Sequence, residues 1–213
     1  MASRPAYYVK NERVVKRDFT FQWFSGLAVS QKQKSVAAFH EAIKSADSAA
    51  VPLEISTKGT DPLGVSMSAF NLRLDGYPLE NVFQSSKVFI GGGPYRDLLD
   101  VHPKEAKRDE RLKTSGRLVG FNYGGSDFPL FPKTVFYDYI YIRAAAQSVP
   151  EDEIQKLAGY NYFTDIEFNP EKSINTQAKT AAIIRLMLDM YGTIPPIDNI
   201  SEFIAFHRSF VIA

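Results

Sequence analysis

The sequence contains no cysteine and only three histidines among its 213 residues. The lack of cysteine excludes disulfide bonds, a thiol nucleophile and thiolate metal ligands. His40, His102 and His207 lie far apart in the sequence and show no spacing typical of metal ligands. We therefore expect a protein that works without a metal ion or another cofactor.

Long apolar runs are also missing. None approaches the roughly 20 residues that a membrane-spanning helix needs, and residues 1–15 lack the apolar segment of a signal peptide. These absences predict a cytoplasmic protein with no membrane contact. The net charge of +1 is too small for a general polyanion-binding protein, so any contact with nucleic acid must use a local basic surface.

Apolar side chains are abundant, at 45% of the residues, and include 16 Phe and 11 Tyr. This composition is enough for the core of one large domain, and some rings could line a pocket for a flat ligand. Residue patterns predict the secondary structure as follows. Strands are expected at 6–10, 13–24, 52–57 and 118–123, and helices at 31–45 (capped by Ser30), 134–146, 150–160, 176–191 and 200–210.

The segment 78–95 is the strongest candidate for a functional site. It reads as a short helix that runs into a glycine loop, and at about 100° per residue Glu80, Gln84 and Lys87 share one stripe of that helix. The other sides are apolar, so the stripe must face water or a cleft, since an unpaired buried polar group costs about 1–3 kcal/mol. The amides of Gly91–Gly93 could form an anion-binding nest.

A plainer interpretation competes with this one and is the stronger of the two on the pattern alone. Glu and Lys two turns apart are common on a solvated helix face, and glycines after a helix often form only a C-cap and a turn. Residues 102–116 allow the same two interpretations. Their many charged side chains could form an ordinary solvated helix face, or one of the arginines could turn toward a phosphate.

The segment 163–177 is a second concentration of polar residues, in which Asn175 or Ser173 would cap the next helix.

Several motifs together resemble a known family. Glu80, Phe83, Gln84, Lys87 and Phe89 form E-x-x-F-Q-x-x-K-x-F, which resembles the signature of the NADAR family. The preceding S-x-F-x stretch of that family is matched by residues 68–71, and its later D…N motif by Asp165 and Asn175. The ordered set VSQKQKS, VFQSSKVF, GGPY, AKRDERL, PKTVFYDYIYI and TDIEFNP is similar to one branch, the NADAR antitoxin encoded beside a DNA-modifying ADP-ribosyltransferase toxin. The similarity covers roughly residues 31–188.

The resemblance implies a single NADAR-like domain of the α+β class, rich in helices and with a few short strands. Residues 1–29 would form an N-terminal strand and hairpin extension, 30–190 the catalytic core and 191–213 a C-terminal helix. The implied activity is that of an ADP-ribosyl glycohydrolase, which removes ADP-ribose from guanine in DNA and so counters the cognate toxin. Two positions depart from the family: Tyr139 stands where we expect tryptophan, and Thr176 where relatives tend to have cysteine.

The resemblance and the residue chemistry together suggest catalytic roles. Lys87 would be the nucleophile that forms a Schiff base with the ring-opened sugar, which requires a lowered pKa because only the neutral amine attacks. Lys107 or Arg108 could supply the cation that lowers it. A close Glu80 would raise it instead, so Glu80 is expected to shuttle protons. Asp165 would orient the ribose hydroxyls or act as the second acid or base.

The remaining candidate residues would bind the substrate. The amides of Gly92 and Gly93, with Arg108, are expected at the diphosphate, and Phe70 or Tyr139 would stack on adenine or on the modified base. The set is completed by Asn71, Gln84 and Asn175. ADP-ribosylated DNA would be the substrate and ADP-ribose the product. Two alternatives stay open, namely an N-glycosidase for a small base–ribose phosphate, and a module that binds ADP-ribose or the toxin without catalysis.

Overall fold

The computed structural model describes residues 1–211. Two short 3-10 helices, Arg96–Leu99 and Lys156–Gly159, accompany the strands and α-helices. In chain order the latter are β1 (Ala2–Lys10), β2 (Arg13–Phe21), α1 (Val29–Ala46), β3 (Pro52–Glu54), α2 (Pro62–Ser66), β4 (Arg73–Leu74), β5 (Tyr77–Pro78), α3 (Leu79–Ser85), β6 (Lys87–Phe89), α4 (Pro103–Ala106), α5 (Arg111–Thr114), β7 (Leu118–Tyr123), β8 (Ser126–Phe128), α6 (Val135–Ser148), α7 (Glu151–Gln155), β9 (Tyr162–Thr164), α8 (Gln177–Tyr191) and α9 (Ile200–Phe210).

The main sheet has four strands in the order β2-β1-β9-β3. The hairpin β1–β2 pairs along its full length, and β9 lies between β1, to which it is antiparallel, and β3, to which it is parallel. The hairpin turns at Asn11 and Glu12, both with positive φ, which suits a two-residue turn between twisted strands. The N-terminal hairpin is therefore part of the main sheet.

Helices α6 and α8 form the centre of the core. Nearly every residue of α8 up to Leu188 is buried, and α6 is buried on most of its sides. Because both helices are apolar almost all round, they can only lie inside the molecule. A smaller apolar cluster joins the hairpin to α1, where the rings of Phe21 and Phe39 stack with centroids 4.5 Å apart.

Residues 87–128 form a separate three-stranded sheet in the order β6-β7-β8. The helix expected to continue toward the glycines ends at Ser85, and Lys87 already belongs to β6, paired with Phe121 of β7. Valine and phenylalanine at positions 88 and 89 favour a strand, and tertiary pairing decides here over helical periodicity. The chain turns at 75–76 and at 124–125, where both residues of each pair have positive φ angles.

Several local predictions are wrong. Residues 102–116, whose charges suited one solvated helix face, form two separate helical turns, α4 and α5. The first helix begins at Val29 with Ala28 at its N-cap, so Ser30 does not cap it. Likewise Thr176 is the N-cap of α8 and makes no capping bond with its side chain, which excludes Asn175 and Ser173 from that role.

The predicted fold class is confirmed. The chain is a single α+β domain in which long helices pack against small sheets. Over residues 1–211, no helix combines the length and the apolar character needed to cross a membrane. In the same part of the chain, no group of three or more His, Cys, Asp or Glu side chains is arranged to hold a metal ion.

Candidate functional site

A cavity of about 490 Å³ lies between α3, the β6-β7-β8 sheet and the N-terminal part of α6. Lys87 and Asn175, two of the residues singled out from the sequence, both line it. The rings of Phe83, Phe121 and Tyr137 form much of its apolar wall. Two loops, 129–132 and 170–174, complete the lining. The size and the mixture of rings with a few polar groups are typical of a small-molecule site.

A chain of hydrogen bonds links the three polar residues of the predicted stripe. The Nζ of Lys87 donates to Oε1 of Gln84 at 2.7 Å, and Nε2 of Gln84 donates to Oε1 of Glu80 at 2.7 Å. The other oxygen of Glu80 lies 3.6 Å from Nζ of Lys107. The Gln84 amide thus stands between the Lys87 amine and the Glu80 carboxylate, and Glu80 forms its ion pair with Lys107 instead.

Burial lowers the pKa of Lys87 below its ordinary value. The Glu80 carboxylate opposes this change, and the Lys107 ammonium adds to it. The Lys87 Nζ also lies 5.0 Å from the centroid of the Phe83 ring. A lowered pKa enlarges the neutral, nucleophilic fraction of the amine at a given pH, which is the property that a Schiff-base lysine needs. Lys107 is one of the two cations that the sequence offered for this effect.

The glycine loop is shaped by close backbone contacts. The Phe89 amide donates to the Gly92 carbonyl at 2.8 Å, and the Gly92 amide donates back to the Phe89 carbonyl over 3.4 Å. The Gly91 amide donates to the Ser115 carbonyl at 3.0 Å. Gly93 has a φ of +87°, and a Cβ atom there would collide with the carbonyl oxygen of Lys87. These contacts account for the glycines by packing alone, without a bound anion.

Asp165 is buried just behind the cavity wall. Its Oδ1 accepts the amides of Glu167 and Phe168 at 3.1 and 3.2 Å, and its Oδ2 accepts the hydroxyl of Thr176 at 3.3 Å. Thr176 follows Asn175, which lines the cavity. Burial, and then the nearby Glu54 carboxylate, raise the pKa of Asp165 to about 7. This aspartate can therefore hold a proton close to neutral pH.

Glu54 is a site residue that the sequence analysis missed. Its Oε1 accepts the Ser56 hydroxyl at 2.7 Å and the Ile166 amide at 2.8 Å, and its Oε2 accepts the Thr164 hydroxyl at 2.6 Å. Burial raises the pKa of Glu54 as well. Glu54 alternates with Leu53 and Ile55, a pattern typical of a strand residue that faces solvent. Here α1 covers that side of the strand, and the local sequence does not specify such tertiary packing.

His40 of α1 extends this network. The Thr164 hydroxyl, which contacts Oε2 of Glu54, is also hydrogen-bonded to Nε2 of His40 at 2.9 Å. Burial lowers the pKa of His40 to about 4, and the imidazole is neutral at physiological pH. Beyond it, a second cavity of about 410 Å³ lies between α1 and residues 52–61, with His40 and Glu54 in its lining.

Gln177 connects Asp165 to the S-x-F-x segment. Its Oε1 accepts the Ala69 amide at 2.7 Å, and its side chain also hydrogen-bonds to Asp165, which moderates the rise in the pKa of that carboxyl. Phe70 follows directly and is 74% exposed, and Nδ2 of Asn71 donates to the Val65 carbonyl at 2.8 Å. The structure thus brings the 68–71 motif and Asp165 together through a residue that the sequence analysis had not singled out.

Tyr139 does not face the cavity, and the structure gives no support to a stacking role for it. It is 3% exposed, and its ring packs against Phe128 and Phe203, with centroids 4.8 and 5.4 Å away. Of the tyrosines of α6, Tyr137 is the one that lines the cavity. Two residues on a helix differ by about 200°, so 137 and 139 face opposite sides of α6. The run of tyrosines gave no indication of which one would face inward.

Tyr137 and Arg108 differ in their position relative to the cavity. Burial raises the pKa of Tyr137 well above its ordinary value, and the carboxylates of Asp165, Asp138 and Glu80 add to the rise. Tyr137 is therefore a neutral phenol within electrostatic reach of both Asp165 and Glu80. Arg108, in contrast, is exposed beside Lys107 and lies outside the cavity lining.

The chain was also compared with known proteins. A model of one protein family, described as the DarT1-associated NADAR antitoxin, matches residues 2–212. The match therefore includes α3, the glycine loop and the segment that carries Asp165 and Asn175. No curated protein matches the chain.

Proposed function

Since the chain belongs to the family of DarT1-associated NADAR antitoxins, we propose that it is an ADP-ribosyl glycohydrolase. It would remove ADP-ribose from a nucleobase, guanine in DNA, and thereby reverse the modification made by an ADP-ribosyltransferase toxin. One observation carries the proposal: a lysine of lowered pKa lines an aromatic cavity, and Gln84 separates its amine from the nearest carboxylate. A site that only binds ADP-ribose has no need of such an amine.

In the proposed reaction, Nζ of neutral Lys87 forms a bond to the anomeric carbon of the ribose attached to guanine. The electron pair of the broken carbon–nitrogen bond stays with guanine, which takes up a proton. Opening of the sugar ring transfers a proton from the lysine nitrogen to the ring oxygen and leaves a Schiff base. Water then hydrolyses the imine, which restores the amine and releases ADP-ribose.

The two carboxyl groups would share the proton transfers. Glu80 lies on the other side of the Gln84 amide from Lys87 and forms no tight ion pair with its amine. An amide side chain does not relay protons, so Glu80 would receive a proton from the amine side through a water molecule in the cavity. Asp165, with a pKa near 7, would carry a proton at neutral pH and serve as the second acid or orient the ribose hydroxyls. The lowered pKa of Lys87 and the raised pKa of Asp165, close to one cavity, favour catalysis over simple binding.

The substrate contacts are proposals of the same kind. Phe83, Phe121 and Tyr137 offer ring surfaces for the guanine, and Asn175 is the polar lining residue suited to a ribose or base edge. Phe70, being exposed, remains free to stack on adenine, with Asn71 beside it.

The diphosphate would be held by the amides of Gly92 and Gly93 and by Arg108. For this, the Gly92 amide would exchange its long bond to the Phe89 carbonyl for a phosphate oxygen. Arg108 is exposed and lies outside the cavity lining, so its side chain would have to turn toward the phosphates.

The nucleophile can be tested with Lys87→Ala. We expect the rate of ADP-ribose release from DNA that carries ADP-ribosylated guanine to fall at least about 10³-fold, because the covalent step is lost. Lys34→Ala is the matched control, since Lys34 is exposed on α1 outside the cavity. The assignment is contradicted if Lys87→Ala, shown to be folded by circular dichroism, keeps the wild-type rate.

The same assay separates the alternatives. Hydrolysis of a small base–ribose phosphate with no action on modified DNA would favour an N-glycosidase for a metabolite. Tight binding of ADP-ribose or of the toxin, with no turnover of either substrate, would favour a non-catalytic module.

A further inference from the structure

Large apolar side chains stand exposed at the border of the cavity that contains Lys87. Leu130 and Ile174 line the cavity and remain 39% and 61% exposed, and Phe131, between lining residues Leu130 and Pro132, is 68% exposed. They come from two separate loops, 129–132 and 170–174. Single exposed apolar residues are ordinary, but three of them at one cavity mouth point to an interaction surface.

Most of the exposed charged residues that line the cavity, or that are next in sequence to a lining residue, are cations. Lys172 lines the cavity, and Lys133 and Arg117 are next in sequence to lining residues; all three are exposed. The one exposed carboxylate among the residues that line the cavity or adjoin a lining residue is that of Glu171. This local excess of cations contrasts with the net charge of only +1 for the whole chain. An apolar centre bordered by cations suits a strand of stacked bases with a phosphate backbone.

The position of Lys87 inside the cavity limits how a modified guanine in DNA can reach it. Its side chain is half-buried within the cavity, so the ribose attached to the guanine must enter the cavity to reach Nζ, and extrusion of the guanine from the base stack would bring it there. Enzymes that act on a base extrude it from the stack at a cost of a few kcal/mol. Proteins that open base steps often insert an apolar side chain between the bases.

We propose that Phe131, supported by Ile174, inserts into the DNA strand beside the modified guanine and occupies the space that the guanine leaves, while Arg117, Lys133 and Lys172 hold the neighbouring phosphates. This inference rests on the proposed function and specifies how its substrate is recognised. A free ADP-ribosylated nucleoside has no neighbouring bases and no backbone, so these side chains would not contribute to its hydrolysis. These five residues at the cavity mouth (Arg117, Phe131, Lys133, Lys172 and Ile174), here called the rim, would thus direct the enzyme to modified nucleobases within a nucleic-acid strand.

The test compares two substrates, ADP-ribosylated guanosine and an oligodeoxynucleotide with one ADP-ribosylated guanine. For Phe131→Ser we expect kcat/KM on the oligonucleotide to fall on the order of tenfold, with kcat/KM on the nucleoside unchanged. Leu27→Ser is the matched control, because Leu27 is fully exposed in the segment before α1, away from the cavity lining. It should change neither value.

A second variant probes the cations. Lys133→Gln should reduce the slope of log kcat/KM against log salt on the oligonucleotide by about 0.7–0.9, the contribution of one phosphate contact. Lys16→Gln, at an exposed position of β2, should leave that slope unchanged.

Each other result overturns the inference. An equal loss on both substrates would mean that Phe131 shapes the cavity, and no loss on either would remove its role. Unchanged turnover of the oligonucleotide with weakened binding of the toxin would make the rim a protein-docking surface. If the wild-type protein hydrolyses neither substrate, the proposed function itself fails, which distinguishes that failure from an error about the rim.

Discussion

Two buried aspartates with opposite charge surroundings mark two regions of this molecule. Asp138 accepts hydrogen bonds from Lys179 at 2.8 Å and from His207 at 2.9 Å. Burial by itself would raise the pKa of Asp138, but the Lys179 ammonium and the hydrogen bond from His207 hold it at about 2. Asp165 has only uncharged donors, and burial together with Glu54 raises its pKa to about 7. The two residues have the same side chain and nearly the same burial, so their neighbours make the difference.

The contrast distinguishes the ion-paired cluster around Asp138 from Lys87 and Asp165, for which we propose a catalytic role. Asp138 joins α6 to Lys179 on α8 and to His207 on α9, and its charge is balanced, so its role is to hold three helices together. Near the cavity, Lys87 and Asp165 have no such ion-pair partner in hydrogen-bond contact among residues 1–211, and burial favours the neutral form of each side chain. Such unbalanced charges reduce stability and are concentrated at functional sites. The comparison thus supports the placement of chemistry beside α3 and β9 and of stability beside α9.

The largest expected effect tests the balanced cluster. Lys179→Met leaves the Asp138 carboxylate buried without its ammonium, so the free energy of unfolding should fall by about 3–5 kcal/mol. Lys156→Met is the control, since the Lys156–Glu153 pair is on the surface and its loss should leave the denaturation midpoint unchanged. Urea unfolding measures both. Equal midpoints for the two variants would refute the structural role of the Asp138 cluster.

The pH dependence of stability should distinguish the two aspartates by sign. Asp165 has a folded pKa above the usual value, so its contribution is full below about pH 4 and is lost as pH rises to about 7. Asp138 has a folded pKa below that value, so its contribution is full above about pH 4 and is lost as pH falls toward 2.

Asp165→Asn should therefore remove a decline in the free energy of unfolding of up to the order of 1 kcal/mol per pH unit between pH 4 and 7. Urea unfolding of wild type and variant across this range checks it. Parallel curves would show that Asp165 titrates normally and would remove the contrast with Asp138.

The smallest expected effect concerns Glu54. Glu54→Gln keeps an acceptor for the Ile166 amide and removes the like charge, so the pKa of Asp165 should fall. Titration of the Asp165 carboxyl carbon by NMR measures this directly. In the turnover assay the alkaline limb of the pH profile should move to lower pH. Burial is the larger cause of the raised pKa, and an unchanged titration in Glu54→Gln would mean that it is the only one.

The sequence was sufficient to predict the part of the candidate site that depends on local contacts. The prediction that Glu80, Gln84 and Lys87 lie together is confirmed, although Lys87 is in a strand. The cap residue Ser86 keeps helical backbone angles, with φ −84° and ψ −10°, so the chain completes its turn before β6 begins. Helical periodicity therefore placed the three side chains correctly, even though Lys87 lies two residues beyond the end of the helix.

Long-range contacts could not be predicted in this way. Glu54 meets the Ile166 amide across 112 residues, because β3 and β9 pair in parallel, and no local pattern specifies that pairing. The position of the Tyr139 ring depends on long-range contacts in the same way. Aromatic residues occupy all sides of α6, so only the surrounding elements decide which ring faces the cavity and which lies in the core.

The central claim is covalent catalysis by Lys87, and it can be tested by chemical trapping. The protein would be incubated with DNA carrying ADP-ribosylated guanine, treated with sodium borohydride and analysed by intact mass spectrometry. We predict a mass gain of one ADP-ribose-sized adduct on the wild-type protein and none on Lys87→Ala. Release of ADP-ribose from the wild-type protein without any adduct would contradict the Schiff base and indicate direct attack by water, assisted by Glu80 or Asp165.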